Sequence, residues 1–382
     1  MTNYSPIPFN IPHLTGNEIA AIESALAAGK IHGDGEFTDQ CQRWFVSNLA
    51  ANSAHLTGSC TIGLDMTALV AELKAGDEVL VPDFTFVSTA QCIALRGATP
   101  VLCDIRADTL NLDESRLEEA LTEKTKAIIP VHYAGVSAEM DEITGFARKH
   151  GLLVIEDAAQ AIGCSYRGKP VGSMGDMSVF SFHSTKNIHC GEGGMVVVNN
   201  PAFSDRCTIA WEKGTDRRQF LEGQVEKYQW QELGSSFLAS EVTAAMLWAQ
   251  LQQEKNINDR RRTIWQKYHE AFVKFAAAEL VQLPSVADHI KHNGHLFYLI
   301  LPEAKNRSAL IEHLKQKKIN AVFHYTPLHE SSGGKKYCQQ GMELTNAASL
   351  PHRLLRLPLF PGLSEEDQDR VIEAVTDFLE RQ

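Results

Sequence analysis

The chain of 382 residues lacks the marks of several large protein classes. Its cysteines, at 41, 60, 92, 103, 164, 190, 207 and 338, form no CxxC pair and follow neither a disulfide framework nor a zinc spacing. Reduced thiols in a cytoplasm are therefore expected. No histidines show the HExxH spacing of a helical zinc site, so no metal is expected. No apolar run approaches the roughly 18 residues of a membrane span. The opening MTNYSPIPFNIPHL has no basic segment followed by an apolar run, so it does not read as a signal peptide. Positive charge is also short: 36 Lys and Arg face 47 Asp and Glu, for a net charge of -11. That argues against a nucleic-acid partner. An anionic ligand then needs positive groups focused at one place. No internal repeat or low-complexity tract is visible.

What is present is apolar, 44% of the chain, enough for a substantial core. The length suggests two domains. Short apolar strands alternate with helical stretches. Residues 61–74 read as a helix, 78–82 (EVLVP) as a strand, 87–97 as a helix and 99–105 (TPVLCDI) as a strand. Strands follow at 126–132, 152–157, 178–183 and 195–200, with a helix at 137–151. Continuous apolar strands between helices indicate a mostly parallel sheet covered on both faces. A long helical region spans 240–277. Beyond it, strands at 296–301 and 321–325 alternate with helices near 307–318 and 364–380, a smaller α/β domain. The boundary falls near residue 250.

Ligands in such sheets bind beyond the carboxyl ends of the strands. Those ends carry Asp83, His132, Glu156, Asp157 and His183, the last leading to Lys186. Asp157, ending VIEDAAQAIG, either holds a proton on a ligand nitrogen or caps the turn; the segment leaves both open. Lys186, in VFSFHSTKNIHCGEGG, has no acidic neighbour within three residues. A lysine whose site disfavours its charge becomes a nucleophile able to form a Schiff base; otherwise it is a loop lysine in solvent. Gly191, Gly193 and Gly194 allow a close backbone approach or a tight turn. In HLTGSCTIGLDMTAL (55–69), small polar residues lead into a helix, which suits an anion at the helix start or ordinary capping by Thr57 or Ser59. GCSYRGK (163–169) copies the spacing of a phosphate loop, but Pro170 stands where Ser or Thr is needed and no helix follows, which excludes an ATP site. A helix start for phosphate, a strand-end aspartate for a ring nitrogen and a lysine for an aldehyde form the set that pyridoxal 5'-phosphate requires.

With these motifs in hand, the sequence resembles the sugar aminotransferases of the DegT/DnrJ/EryC1/StrS group over nearly its whole length. GDEVLVPDFTFVSTA, VIEDAAQAIG, FSFHSTKN and GEGG carry the resemblance. GDGEFTDQCQRWF, PVHYAG, EKGTDRRQFLEGQVEKYQW and LGSSFLASE narrow it to the subgroup that makes dTDP-4-amino-4,6-dideoxygalactose, a precursor of enterobacterial common antigen and related surface polysaccharides. The resemblance implies a fold-type I α/β architecture: a large domain (1–250) with a mostly parallel seven-stranded sheet between helices, and a small C-terminal α/β domain (251–382). It implies that Lys186 carries the cofactor and moves the proton. Asp157 pairs with the pyridinium nitrogen, Gln160 contacts the ring hydroxyl and Phe86 stacks on the ring. Cys60, through its backbone, Thr61 and Ser181 hold the phosphate. Ser236 stands where many members have an asparagine that reaches the neighbouring subunit's phosphate, and the subgroup is similar in having two serines there. Tyr325, His329 and the segment 213–230 are candidates for the substrate pocket. L-glutamate as donor, a nucleotide-linked keto sugar as acceptor and a homodimer with shared active sites complete the expectation. The other readings are the gluco epimer at C4, a 3-keto or GDP-linked sugar, a pyridoxamine-dependent dehydratase, which in relatives has histidine in place of the lysine, and a non-enzymatic regulator.

Overall fold

The computed structural model describes residues 5–381. Its main sheet is built from β1 (Ser53–Thr57), β2 (Glu78–Pro82), β3 (Thr99–Cys103), β4 (Thr125–Ile128) and β5 (Leu153–Asp157). A short hairpin, β6 (Ser165–Tyr166) and β7 (Lys169–Pro170), precedes two further sheet strands, β8 (Met177–Ser181) and β9 (Gly194–Val198). The C-terminal part supplies β10 (Ile290–Lys291), β11 (Tyr298–Ile300), β12 (Gln339–Gln340) and β13 (Leu354–Arg356). The sheet order is β1-β9-β8-β5-β4-β2-β3-β12. Strand β9 runs antiparallel to both neighbours; the other pairings are parallel.

The central strands are apolar on both faces because helices cover both. Val79, Leu80 and Val81 of β2 are all fully buried. One hydrophobic cluster joins Leu64, Leu80, Ile128 and Ile155. Another lies around Phe45, Phe180, Phe182 and Leu247. A third cluster gathers Phe272, Phe297, Leu310, Leu355 and Val371, and takes in Ile7 from the other end of the chain. It rests on the β11–β13 ribbon and the helices Ala304–Gln316 and Glu365–Leu379.

The expected elements appear with shifted ends. The helix expected at 137–151 starts at Met140, because the Asn111 amide donates to the carbonyls of Val136 and Ser137 and keeps that stretch extended. The seven expected strands gain an eighth, β12, a two-residue edge too short to carry a periodic signal. The strand expected at 321–325 is not formed: only Val322 bridges, to Arg356, and the guanidinium of Arg356 takes the Phe323 carbonyl that a longer ladder would use. The helices Glu18–Ala27 and Glu36–Leu49 and strand β1 lie ahead of the first element read in the sequence. The false phosphate loop is the β6–β7 hairpin, turning through Arg167 and Gly168 at φ 47° and 80°.

Candidate active site

A cavity of about 770 Å³ opens at the carboxyl ends of the strands. One wall carries Ser59, Cys60, Thr61, Asp157, Gln160, Ser181 and Lys186; the other comes from residues 322–325 with Arg356, Leu357 and Leu359, and Phe86 lines the cavity as well.

The helix Cys60–Val70 begins on the first wall. The Ser59 hydroxyl caps it by accepting from the Ile62 amide, and among the described residues the amides of Cys60 and Thr61 have no protein acceptor. Thr61 Oγ1 lies 2.8 Å from Ser88 Oγ, so two hydroxyls stand beside those amides. Ser181 ends β8 and is buried. The helix start needs a glycine beneath it. A Cβ on Gly194 would come within 2.5 Å of the Ser59 carbonyl carbon and 2.6 Å of the Cys60 nitrogen.

Asp157 ends β5 at the cavity floor. Its Oδ2 accepts from Thr89 Oγ1 at 2.8 Å and its Oδ1 from the Ala159 amide at 3.1 Å. Thr89 is itself 2.9 Å from the Thr85 hydroxyl. Burial pushes the Asp157 carboxyl above its ordinary range, while the Thr89 and Ala159 bonds and the charges of Lys186 and His132 oppose the rise. A cationic ring nitrogen would relieve that penalty.

Lys186 follows β8 in a loop that folds back on β9. Phe182 N donates to the Gly193 carbonyl, Ser184 N to the Gly191 carbonyl and Lys186 N to the His183 carbonyl. The next residue, Asn187, anchors the loop. It donates to Asn258 Oδ1 (2.8 Å) and the Asn293 carbonyl (3.1 Å), and its Oδ1 lies 2.8 Å from His295 Nδ1. Burial lowers the Lys186 pKa; Cys60 and Asp157 resist, and the Arg356 charge adds to the lowering. The amine is thereby shifted toward its nucleophilic form.

Gln160 accepts from the Ala134 amide (2.7 Å) and donates through Nε2 to the Tyr325 hydroxyl (3.1 Å), leaving its second amide hydrogen for a ligand. Tyr325 is stacked on His324 with ring centroids 3.6 Å apart, and His324 Nδ1 lies 2.7 Å from the buried Tyr133 hydroxyl. Phe86 is 52% exposed, 5.8 Å from the Tyr325 ring, so its face is open to a planar ligand.

Free helix-start amides for a phosphate, a buried carboxylate with an open side for a ring nitrogen, and a lysine of lowered pKa thus share one cavity. The residues fit pyridoxal phosphate. Lys186, Asp157, Gln160, Phe86, Cys60, Thr61, Ser181 and Tyr325 are brought together. Ser236 is not among the lining residues; it is exposed and bridges Glu212. His329 also stands outside the lining, its Nδ1 2.6 Å from Asp83 Oδ2 and its amide donating to Asp83 Oδ1. Nor does the segment 213–230 reach the cavity; it projects outward, with Trp230 75% exposed. Thr89, Asn187, His324 and Arg356 were not singled out in the sequence as site residues. The alternation of DFTFVSTA at a helix start could have pointed to Thr89; the others depend on chain folding back from afar. Among the described residues, no group of three or more His, Cys, Asp or Glu side chains could hold a metal ion, and no helix is long and apolar enough to cross a membrane.

Known proteins align with this geometry. The aminotransferase TlmJ from Streptoalloteichus hindustanus superposes with a TM-score of 0.89 at 27% identity, over 98% of this chain and 99% of that one. The putative sugar aminotransferase Spr1654 from Streptococcus pneumoniae, in its PLP form, gives 0.89 at 27% identity, over 99% of both chains. DesV from S. venezuelae, solved in complex with a ketimine intermediate, gives 0.89 at 29% identity, over 99% of this chain and 100% of that one. The model of the DegT/DnrJ/EryC1/StrS aminotransferase family matches residues 12–376, and the chain belongs to that family.

Proposed function

We propose that this aminotransferase moves an amino group from L-glutamate to C4 of dTDP-4-keto-6-deoxy-D-glucose, giving dTDP-4-amino-4,6-dideoxy-D-galactose for surface polysaccharide synthesis in the cytoplasm. Pyridoxal phosphate is its cofactor, and a keto sugar its class of acceptor. The observation that carries the reading is the meeting of Lys186, Asp157 and the open helix start in one cavity. The nucleotide and the sugar carbon rest on the subgroup motifs, PVHYAG and EKGTDRRQFLEGQVEKYQW among them.

When bound, pyridoxal phosphate supplies an aldehyde carbon that exchanges amines and a ring that takes up an electron pair. Lys186 is the residue we assign to carry it. With the cofactor bound, the Lys186 amine would take the proton from the donor's α-carbon and later return one at the sugar carbon. Asp157 keeps the proton on the ring nitrogen, and Thr89 and the Ala159 amide keep Asp157 in place. The amides of Cys60 and Thr61 and the Ser181 hydroxyl hold the phosphate. Gln160 would meet the ring hydroxyl, Phe86 would cover the ring face and Tyr325 would border the sugar. We assign Ser236 to a contact made across a homodimer with shared sites; His329, expected in the substrate pocket, is held by Asp83 outside the cavity lining. The separate hydrophobic cluster around Phe272 and Phe297 supports a small domain from about residue 251 onward.

The test is an NMR spectrum of the product formed from dTDP-4-keto-6-deoxyglucose and L-glutamate with added cofactor. An axial amine at C4 is expected. An equatorial amine would reassign the product to the gluco series, and no amino sugar at all would contradict this substrate.

A further inference from the structure

Lys186 is followed by a network of side-chain amides that reaches across the fold. Asn187, Asn258 and Asn293 are all buried. Asn187 Nδ2 turns to the Asn293 carbonyl (3.1 Å), which can only accept, and to Asn258 Oδ1 (2.8 Å). The Asn258 amide is oriented in turn by the Ile162 carbonyl (3.1 Å). Asn187 Oδ1 is therefore an acceptor, and His295 Nδ1, 2.8 Å away, has to donate to it. The His295 backbone is held as well: its amide donates to Asn293 Oδ1 (3.0 Å), and its carbonyl accepts from Arg261 Nη2 (2.8 Å). His295 is 6% exposed. Burial and the charges of Lys186, Arg261, His324 and Arg356 push its pKa well below the ordinary histidine value, so the ring is neutral. Its one ring N–H is on Nδ1, and Nε2 is a bare acceptor. That atom has no partner among the described residues and is not sealed in the interior, and the residue lines the cavity.

We infer that His295 is a positioning residue for Lys186: its Nε2 accepts a hydrogen bond from the Lys186 amine during the stage in which the lysine is free of the cofactor. The inference rests on the aminotransferase reading above, because there Lys186 alternates between a joined and a free state. A buried amine that is set free needs an acceptor. Lys186 Nζ has none among the described residues, and it shares the cavity with an acceptor that has no donor. The groups acting on the Lys186 charge fit that task less well. Asp157 is assigned to the ring nitrogen, burial keeps Cys60 as a thiol, and Arg356 is a cation. Asn187 then has two tasks. It anchors the loop next to Lys186, and it fixes the tautomer of the ring that meets the Lys186 side chain.

The test uses two variants that divide the imidazole. Asn places its amide near the position of Nδ1, and Gln places its amide near that of Nε2. His295→Asn thus keeps a donor for Asn187 and removes the cavity acceptor, and His295→Gln does the reverse. The full chain is loaded with pyridoxamine 5'-phosphate, which leaves Lys186 free. The Lys186 pKa is then read from the pH dependence of its acetylation, by peptide mass spectrometry. An acceptor favours the charged amine, so in His295→Asn this pKa should fall by about one unit below the parent. In His295→Gln it should stay near the parent, while the melting temperature shows the larger loss. A Lys186 pKa unchanged in His295→Asn, or lowered equally in both variants, would overturn the inference. Nitrogen-15 NMR gives a second measurement that does not depend on the His295 variants. His295 of the parent should carry its proton on Nδ1, and its Nε2 resonance should move in Lys186→Ala. A proton on Nε2, or an unmoved resonance, would also overturn it. Failure of the functional reading is seen separately, as absence of an amino sugar in the product experiment.

Discussion

The carboxyl end of β5 presents two adjacent carboxylates to two different environments. Glu156 and Asp157 are both buried. Glu156 points to one face of the sheet and is saturated. Its Oε1 accepts from the amides of Met174 (2.7 Å) and Gly175 (2.6 Å), and its Oε2 from the Gly172 amide (2.8 Å), with His132 Nε2 3.0 Å away. Burial by itself would raise its pKa, but His132 and the amides of Gly175 and Gly172 outweigh burial and hold it below the ordinary range. Asp157 points to the other face, has two donors and lines the cavity, and its pKa is raised. Glu156 stabilises the 172–175 loop; Asp157 is held in a costly state that a cationic ligand would relieve. Incomplete satisfaction, more than burial or residue type, separates the carboxylate we assign to the cofactor from the structural one.

The largest expected effect lies with the partner of the unsatisfied side. Lys186→Ala should reduce amino transfer by at least about 10⁴-fold while the melting curve stays within a few degrees, as measured by a coupled 2-oxoglutarate assay and calorimetry. Asp157→Asn should lower kcat by about 10²- to 10⁴-fold yet leave the apoprotein no less stable at neutral pH. The sign follows from the raised pKa: the stability tied to this group is fully present below the unfolded value and lost as pH rises through the folded one. An apoprotein of Asp157→Asn that melts well below the parent at neutral pH would erase the contrast with Glu156.

Glu156→Gln should behave in the opposite manner. Removing one member of a buried, hydrogen-bonded pair with His132 should cost about 3 kcal/mol, read by urea unfolding. Because the Glu156 pKa is depressed, its contribution is present above the unfolded value and lost as pH falls through the folded one. The parent should therefore lose this increment on acidification, and the variant should not. The smallest effect is expected for Thr89→Val, which removes one bond to Asp157. Loss of about 1 kcal/mol of support should lower kcat several-fold and raise the pKa of the Asp157 carboxyl further, a shift visible by NMR in the apoprotein.

The same contrast explains what could be read in the sequence. Strand-end residues such as Asp157 and Lys186 are announced locally, because a polar residue that closes an apolar run must face something. Cys60, Thr61 and Ser181, which the resemblance assigns to the phosphate, stand at helix and strand ends that the sequence outlines within a few residues. The far wall is different. Arg356 sits in LLRLPLF, where it reads as an isolated charge, and only the approach of Phe323 and Phe9 makes it a fixed group. His324 reads as a strand residue in AVFHY, whereas its ring stacks on Tyr325 in an irregular segment. Asn187 depends on Asn258 and Asn293, 71 and 106 residues away. Long-range side-chain networks carry no sequence period, so no reading of periodicity finds them.

The central claim, that Lys186 is the residue joined to the cofactor, is tested most directly by borohydride reduction of the loaded protein followed by peptide mass spectrometry. The account predicts a single pyridoxyl-phosphate label, on Lys186, absent from Lys186→Ala. A label on another lysine, or none on a protein that still turns over, would contradict it.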